Sequence, residues 1–230
     1  MKVAKDFPNT VFGVACYFQA SKGPANFVNY CVQSHETGYV GGALAALMSK
    51  TGKIGVIGGF PIPQQVADHN GYLLGARLVK PSIKFKSVFI NDWMDVSKAK
   101  EAGLALIDQG ADVIAVTASP MGFGGIKAAE SRGKLAIGTY MDVNKMAPDT
   151  IISSSLFIWH AAMKQIVLDM KAGKKLKKHY LVNMTNGGAG VAPFNNKVPA
   201  DVAKRVRAIE ADIKSGKIKV PYHGKKILDH

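Results

Sequence analysis

Short runs of β-branched and other apolar residues alternate along the chain with longer amphipathic stretches. The runs at 53–58, 112–117 and 150–155 are typical of buried strands, and the stretches at 64–79 and 97–109 are typical of helices. Strands that alternate with helices at this spacing predict right-handed βαβ units and a parallel sheet. The predicted fold class is therefore α/β.

The same pattern predicts further elements outside these segments. They are strands at 11–15, 86–91 and 135–139, and helices at 37–49, 125–132, 157–171 and 199–214. The helix at 37–49 consists largely of small residues, which predicts that it packs closely on a neighbour. A Gly-rich turn is predicted at 186–190.

Composition agrees with a globular chain, because 47% of the residues are hydrophobic and 20% are charged. No apolar run is long enough to cross a bilayer. The first eight residues have neither the apolar core nor the small-residue cleavage site of a secretory signal. Cys16 and Cys31 have no metal-type spacing and are expected to be plain buried residues.

Positive charge is concentrated in the last third of the chain. The net charge is +14, and residues 164–230 hold 15 Lys and Arg against 5 Asp and Glu. The dense run at 171–178 has two interpretations: a surface for nucleic acid or anionic membrane, or a solvated helix end and loop. We favour the helix end, because no aromatic residues interleave the lysines and no nucleic-acid motif accompanies them.

Candidate site residues are found just after the predicted strands, because ligands of open α/β sheets bind beyond the carboxyl ends of the strands. Large aromatic residues and one carboxylate stand at these places. The candidates are Phe60, Trp93, Thr117, Asp142, Phe157 and Trp159. Such a set would suit a flat, partly apolar ligand with hydrogen-bond donors.

Each candidate also has a purely structural interpretation. Phe60 and Phe157 could cap the core, since aromatic residues at strand ends often do. Asp142 could cap the turn that comes after it. Trp93 lies in a polar loop and is harder to explain as part of the core.

Signals of catalysis are weak, so we expect no enzyme, no metal and no cofactor. The six histidines show no metal-ligand spacing. The glycines at 58–59 and 122–125 match neither the dinucleotide fingerprint nor the P-loop, and are expected in tight turns.

Four segments resemble one known family when taken together and in order. Residues 48–63, 107–113, 136–142 and 191–195 are similar to the basic membrane proteins, which are solute-binding components of ABC transporters. The resemblance implies a type I periplasmic binding fold, in which two doubly wound parallel-sheet lobes are joined by a hinge. It also implies a small-molecule ligand, a purine nucleoside in several members, and an ABC permease as partner.

The resemblance further implies roles for three candidates. Asp142 matches the carboxylate that holds the ribose or base, and Trp93 falls where an aromatic ring stacks on the ligand. Phe157 stands where nucleoside binders often have a lysine. This departure favours an apolar platform for a free base.

By the same resemblance the first lobe is incomplete. Residues 1–51 would be the remainder of the N-lobe, residues 52–155 the C-lobe, and residues 156–230 the segments that return to the N-lobe and hinge. Family members usually carry a signal and a lipid-anchoring cysteine, so the predicted location is the periplasm or the outer face of the cytoplasmic membrane. The anchor would provide the only membrane association. Because one lobe lacks strands, we expect poor independent stability and weak ligand binding.

Three other interpretations stay open at this point. A cytosolic ligand sensor could use the same fold, although no helix-turn-helix for DNA binding precedes it. A doubly wound enzyme could share the aromatic strand ends. A non-functional truncated fragment would also explain the incomplete lobe.

Overall fold

The computed structural model describes residues 1–16 and 18–228 and confirms the α/β fold class. The strands are β1 (Phe12–Ala15), β2 (Phe27–Val32), β3 (Lys53–Gly58), β4 (Lys84–Phe89), β5 (Val113–Val116), β6 (Leu135–Gly138), β7 (Ile151–Phe157), β8 (His179–Val182) and β9 (Ala189–Val191). The helices are α1 (Lys2–Asp6), α2 (His35–Met48), α3 (Pro63–Val79), α4 (Val96–Asp108), α5 (Gly122–Ser131), α6 (Trp159–Lys171) and α7 (Ala200–Lys214). In these described parts, no helix is both long and apolar enough to span a membrane.

A six-stranded sheet forms the larger layer, in the order β4-β3-β5-β6-β7-β9. All its pairs are parallel except the last, in which β9 runs antiparallel to β7. Every residue of β5 is buried, and only Lys53 in β3 is partly exposed. Parallel strands covered by helices on both faces have this continuous apolar pattern, which is why they were predictable.

A second, smaller sheet has three parallel strands in the order β1-β2-β8. The central strand, β2, is mostly buried, whereas Gly13, Val14 and Ala15 of the outer strand β1 are exposed. This sheet depends on residues far apart in sequence, since β8 arrives only after most of the larger sheet has been formed.

The two cysteines form a disulfide, which corrects the expectation of plain buried thiols. In the register of β1 and β2, Ala15 lies opposite Tyr30, so the next positions, Cys16 and Cys31, also face each other. The bond closes a loop over a sequence separation of 15 residues. The pairing was missed because β2 was not predicted as a strand.

Helices α2 and α3 cross at very close range. A Cβ added to Gly75 would lie 1.8 Å from the Tyr39 carbonyl oxygen, and one added to Gly42 would lie 2.0 Å from the Tyr72 carbonyl oxygen. Helix α2 comes after β2 of the smaller sheet, while α3 comes after β3 of the larger one. The close packing predicted for α2 is therefore with α3. The division into lobes at residues 51 and 155 stays a prediction.

Three predicted boundaries differ from the structure. Strand β4 ends at Phe89 rather than Asn91, because Asn91 adopts a positive φ of 56° and turns the chain. Helix α5 begins at Gly122, so the glycines expected in a tight turn at 122–125 belong to its first turn. The predicted Gly-rich turn at 186–190 also contains the start of β9.

The basic run at 171–178 begins at the last residue of α6, as the helix-end interpretation requires. One of its lysines has a structural role. The Lys178 ammonium donates hydrogen bonds to the carbonyl oxygens of Gly23, at 3.1 Å, and Phe27, at 3.3 Å. This lysine fastens the segment before β8 to the start of β2.

Candidate ligand-binding site

The carboxyl ends of five parallel strands meet at one edge of the larger sheet, and each predicted site residue belongs to this edge. Phe60 follows β3, Trp93 follows β4, Thr117 follows β5, Asp142 follows β6, Phe157 ends β7, and Trp159 begins α6. The structure arranges the aromatic members in two groups. The two polar members, Thr117 and Asp142, make hydrogen bonds to other parts of the chain instead.

Phe60 and Trp93 form the first group, with ring centroids 5.2 Å apart and planes inclined by 52°. Gly59 makes this arrangement possible, because an added Cβ would lie 2.2 Å from the Trp93 ring. The glycines at 58–59 therefore serve close packing rather than the tight turn that we expected. Asp92 shapes the loop by accepting hydrogen bonds from the Met94 and Asp95 amides, and those bonds lower the pKa of its carboxyl.

The second group is a row of four rings in edge-to-face contact. Phe157 lies 4.7 Å from Tyr140 and 6.0 Å from Trp159, and Trp159 lies 5.9 Å from Tyr30, all between ring centroids. Phe157 is only 6% exposed and so also closes the core, whereas the other three rings are partly exposed. Trp159 and Tyr30 connect this edge of the larger sheet to β2 of the smaller sheet.

Thr117 faces inward. Its side chain is 1% exposed, its hydroxyl donates to Gln65 Oε1 at 2.6 Å, and it lies 2.9 Å from His69 Nε2. Burial lowers the pKa of His69 to about 3, so this imidazole is neutral. In this conformation Thr117 holds the sheet to α3, and its predicted ligand contact stays a prediction.

Asp142 is exposed, and its Oδ1 accepts a hydrogen bond from the Asn144 amide at 3.0 Å. This contact is the turn cap that the structural interpretation of Asp142 requires. A role in ligand binding stays a prediction for this residue too.

The two aromatic groups flank the end of β5. Phe60 follows β3 and Tyr140 follows β6, and these strands are the two neighbours of β5. Neighbouring strands lie about 4.8 Å apart, so positions two strands apart are separated by roughly 10 Å. The two aromatic groups therefore stand on opposite sides of the end of β5.

Backbone strain also concentrates at the strand ends. Among the residues that the structure describes, three other than glycine have positive φ: Cys16 at 49°, Asn91 at 56° and Tyr140 at 70°. Each comes one or two residues after a strand. Such backbone conformations are costly for bulky side chains and tend to occur at functional sites. Tyr140 also stands just after a predicted strand, but it was not among the six candidates, and Tyr30 was not identified at all, because residue type alone does not distinguish either from a core tyrosine.

Concavity alone does not identify this site. A groove of about 670 Å³ runs along β4 and α4, and a cavity of about 490 Å³ lies where β2, β8 and α3 meet, but neither is lined by the six predicted residues. Within residues 1–16 and 18–228, no three His, Cys, Asp or Glu side chains gather as a metal site would need.

Comparison with known proteins decides the family. Residues 1–224 match the model of the Bmp family, described as ABC transporter substrate-binding protein PnrA-like. The chain belongs to the basic membrane protein family. The resemblance found in the sequence is thereby confirmed.

Relatives of this Bmp chain include a purine-binding protein of Brucella abortus (strain 2308), 36% identical over 227 residues. A putative ABC transporter glucose-binding protein of Haloferax volcanii is 28% identical, and basic membrane protein A of Borreliella afzelii is 26% identical. The alignments cover 97%, 95% and 87% of this chain. They cover 62%, 54% and 63% of the respective relatives, so the chain spans little more than half of each.

Solved structures confirm the type I periplasmic binding fold for this Bmp chain. An ABC transporter solute-binding protein from Aeropyrum pernix K1 has a TM-score of 0.79 at 20% identity, with 96% of this chain and 73% of that one covered. A transcriptional activator of the comK gene from Bacillus halodurans has a TM-score of 0.81 at 22% identity, with 96% and 75% covered. At such identities the likeness concerns the fold alone.

Proposed function

We propose that this chain is the ligand-binding part of a solute-binding component of an ABC transporter, without catalysis of its own. The ligand is a small flat molecule, a purine nucleoside or nucleobase, bound at the edge where the strands of the larger sheet end. The aromatic side chains of Phe60, Trp93, Phe157 and Trp159 would provide its stacking surfaces.

One observation supports a flat, purine-like ligand above all others: the two aromatic groups stand on either side of the end of β5. Each group contains one of the two tryptophans of the chain, and each tryptophan is partly exposed. Aromatic side chains on opposite sides of a gap favour a planar ring by stacking. The relative from Brucella abortus, named as a purine-binding protein, supports the same class.

We also propose that the full-length protein works outside the cytoplasmic membrane, held by a lipid anchor, and delivers its ligand to a permease. Family membership supports the permease. The Cys16–Cys31 disulfide supports the location, because such bonds persist in oxidising compartments and are rare in the cytosol.

A titration of tryptophan fluorescence tests the ligand class. Trp93 and Trp159 are the only tryptophans, so all of the indole signal comes from the two proposed surfaces. We expect saturable quenching by adenine, adenosine or guanosine, after correction for absorption by the bases, and no response to ribose or glucose.

Single variants Trp93→Phe and Trp159→Phe assign the signal to each side of the gap. We expect each variant to keep the folded far-UV spectrum and to lose part of the quenching. Absence of a saturable response to every purine, in a folded protein, would contradict the proposed ligand class. A saturable response to glucose instead would assign the site to sugars.

A further inference from the structure

We propose that the outer edge of β4 is a docking groove for an extended acidic segment of a partner protein, which adds to the larger sheet as a further strand. The proposal concerns the side of this sheet and is independent of the ligand at the strand ends. Three features support it: the open edge of β4, the groove that runs along it, and the charge around that groove.

Strand β4 stands at the end of the larger sheet, and in the part of the chain that the structure describes no strand lies beyond it. The Lys84 amide donates to a carbonyl oxygen just before β3, at 2.8 Å, and the Ile90 amide donates to one at the end of β3, at 3.0 Å. Backbone groups alternate in direction along a strand. The N–H and C=O groups of Ser87 and Phe89 therefore point to the open side, where an added strand would bond.

A groove of about 670 Å³ runs along this edge, between α3 and α4. Its lining is largely apolar, with Phe85 and Leu106 buried and Val88 and Ala102 partly exposed. A hollow of about 290 Å³ shares Leu106 with it and continues the groove towards β3. An added strand places alternate side chains on opposite faces, so the groove can receive side chains of a peptide as well as its backbone.

The charge around the groove is positive. Four cations line the groove and the hollow beside it: Lys84, Lys86, Arg77 and Lys53. None of the described residues that line them is acidic. Lys53 and Lys86 donate hydrogen bonds to Gln109, and within the described ranges none of the four cations forms an ion pair. Carboxylates of a bound segment would provide their partners.

Charge and backbone chemistry together select the occupant. In a pair of identical chains, Lys84 and Lys86 would meet the same lysines of the second copy, and like charges directly opposite each other destabilise a sheet. A nucleic acid would satisfy the cations, but it has no peptide groups to pair with Ser87 and Phe89. Lysines on an edge strand discourage pairing with most other strands. An acidic segment is the strand that they favour.

Fluorescence anisotropy with labelled heptapeptides tests the proposal. The probes are an alternating Glu–Val peptide, its Lys–Val counterpart, and a Glu–Pro peptide whose prolines lack the amide hydrogens of a strand. A single-stranded oligonucleotide of the same charge is the fourth probe. We expect saturable binding of the Glu–Val peptide alone. Hydrogen exchange should then show that the amides of Ser87 and Phe89 gain protection in the complex, because they become bonded to the added strand.

The double variant Lys84→Gln with Lys86→Gln removes two charges from the groove. We expect it to bind the Glu–Val peptide about fivefold more weakly, as the loss of two exposed ion pairs would produce. Lys174→Gln with Lys175→Gln is the matched control, because it removes the same charge from two exposed lysines that do not line the groove. We expect the control to bind as the wild type does.

Absence of Glu–Val binding would overturn the proposal. Equal binding of the Glu–Pro peptide, or an equal loss in both double variants, would show attraction by charge alone and overturn the added strand. Tighter binding of the oligonucleotide would assign the cations to nucleic acid instead. A dimer of the chain in which the Ser87 and Phe89 amides are protected would assign the edge to a second copy. None of these outcomes bears on the purine site.

Discussion

The two sheets of this Bmp chain are stabilised in different ways. The larger sheet has six strands, and β3 and β5 at its centre are buried almost completely. The smaller sheet has three strands, and its outer strand β1 exposes Val14 to 37%. Burial of apolar side chains therefore holds the larger sheet throughout, whereas in the smaller sheet β2 and β8 join the main core and the outer strand β1 relies on the disulfide. The aromatic site lies mainly on the well-buried sheet and reaches the other through Tyr30.

The largest effect on stability is expected at the α2–α3 crossing, which packs on the larger sheet. Gly75→Ala places a methyl group within 1.8 Å of the Tyr39 carbonyl oxygen, which forces the helices apart. Overpacking of this kind costs about 3 kcal/mol, and we expect that decrease in the free energy of unfolding, measured by urea denaturation. Gly190→Ala is the control, because nothing lies within 4 Å of its added Cβ. A Gly75→Ala protein as stable as wild type would contradict the close crossing.

Removal of the disulfide should destabilise the smaller sheet while the larger sheet keeps its stability. Replacing Cys16 and Cys31 by serine opens a loop of the size for which about 3 kcal/mol is expected at most. By hydrogen exchange, we expect amides of β1 and β2 to lose protection while those of β3 and β5 keep theirs. Equal loss in both sheets would show that the smaller sheet has no separate stability.

A third effect, gradual in pH, concerns the stability contributed by the buried His69 beneath the larger sheet. The pKa of His69 is about 3 in the folded chain and about 6.5 when unfolded, so the unfolded state binds the proton more readily. Stability from this group is complete above pH 6.5 and decreases as the pH falls towards 3. The loss is about 1.4 kcal/mol per pH unit within that window.

Urea titrations at pH 6.5, 5.5 and 4.5 measure that slope. We expect His69→Gln to lose stability less steeply than wild type on acidification, and His160→Gln, which changes an exposed histidine, to follow wild type. Burial raises the pKa of Asp68 and Glu36, which act in the opposite sense but equally in all three proteins. Equal slopes for His69→Gln and wild type would contradict the neutral buried imidazole.

The central strands of the two sheets differed in how well the sequence predicts them. After Lys53, β3 is an uninterrupted apolar run, and so is β5. Such a short apolar run predicts a buried parallel strand. Strand β2 reads Phe-Val-Asn-Tyr-Cys-Val, in which Asn29 and Tyr30 interrupt the apolar run. Without β2, no argument could bring Cys16 beside Cys31.

The candidate site, too, could be predicted only in part: the positions of its residues followed from the sequence, and the directions of their side chains did not. The rule that ligands bind beyond strand ends located all four aromatic candidates, because that rule needs only the strand positions. The direction of a side chain depends on tertiary contacts, and so Thr117 turned inward to Gln65 and Asp142 turned to its own loop. Tyr140 stands just after a predicted strand too, but its positive φ is a backbone conformation that aromatic residues rarely adopt and that residue type does not predict.

The central claim is that a purine lies between the two aromatic groups at the strand ends. The most direct measurement is an amide and indole proton–nitrogen NMR titration with adenine, since the chain has only two indole groups. Trp93→Phe and Trp159→Phe spectra assign the two signals. We predict that both indole signals shift along one saturable curve. Saturable shifts of backbone amides with both indole signals unmoved would place the ligand elsewhere and contradict the account.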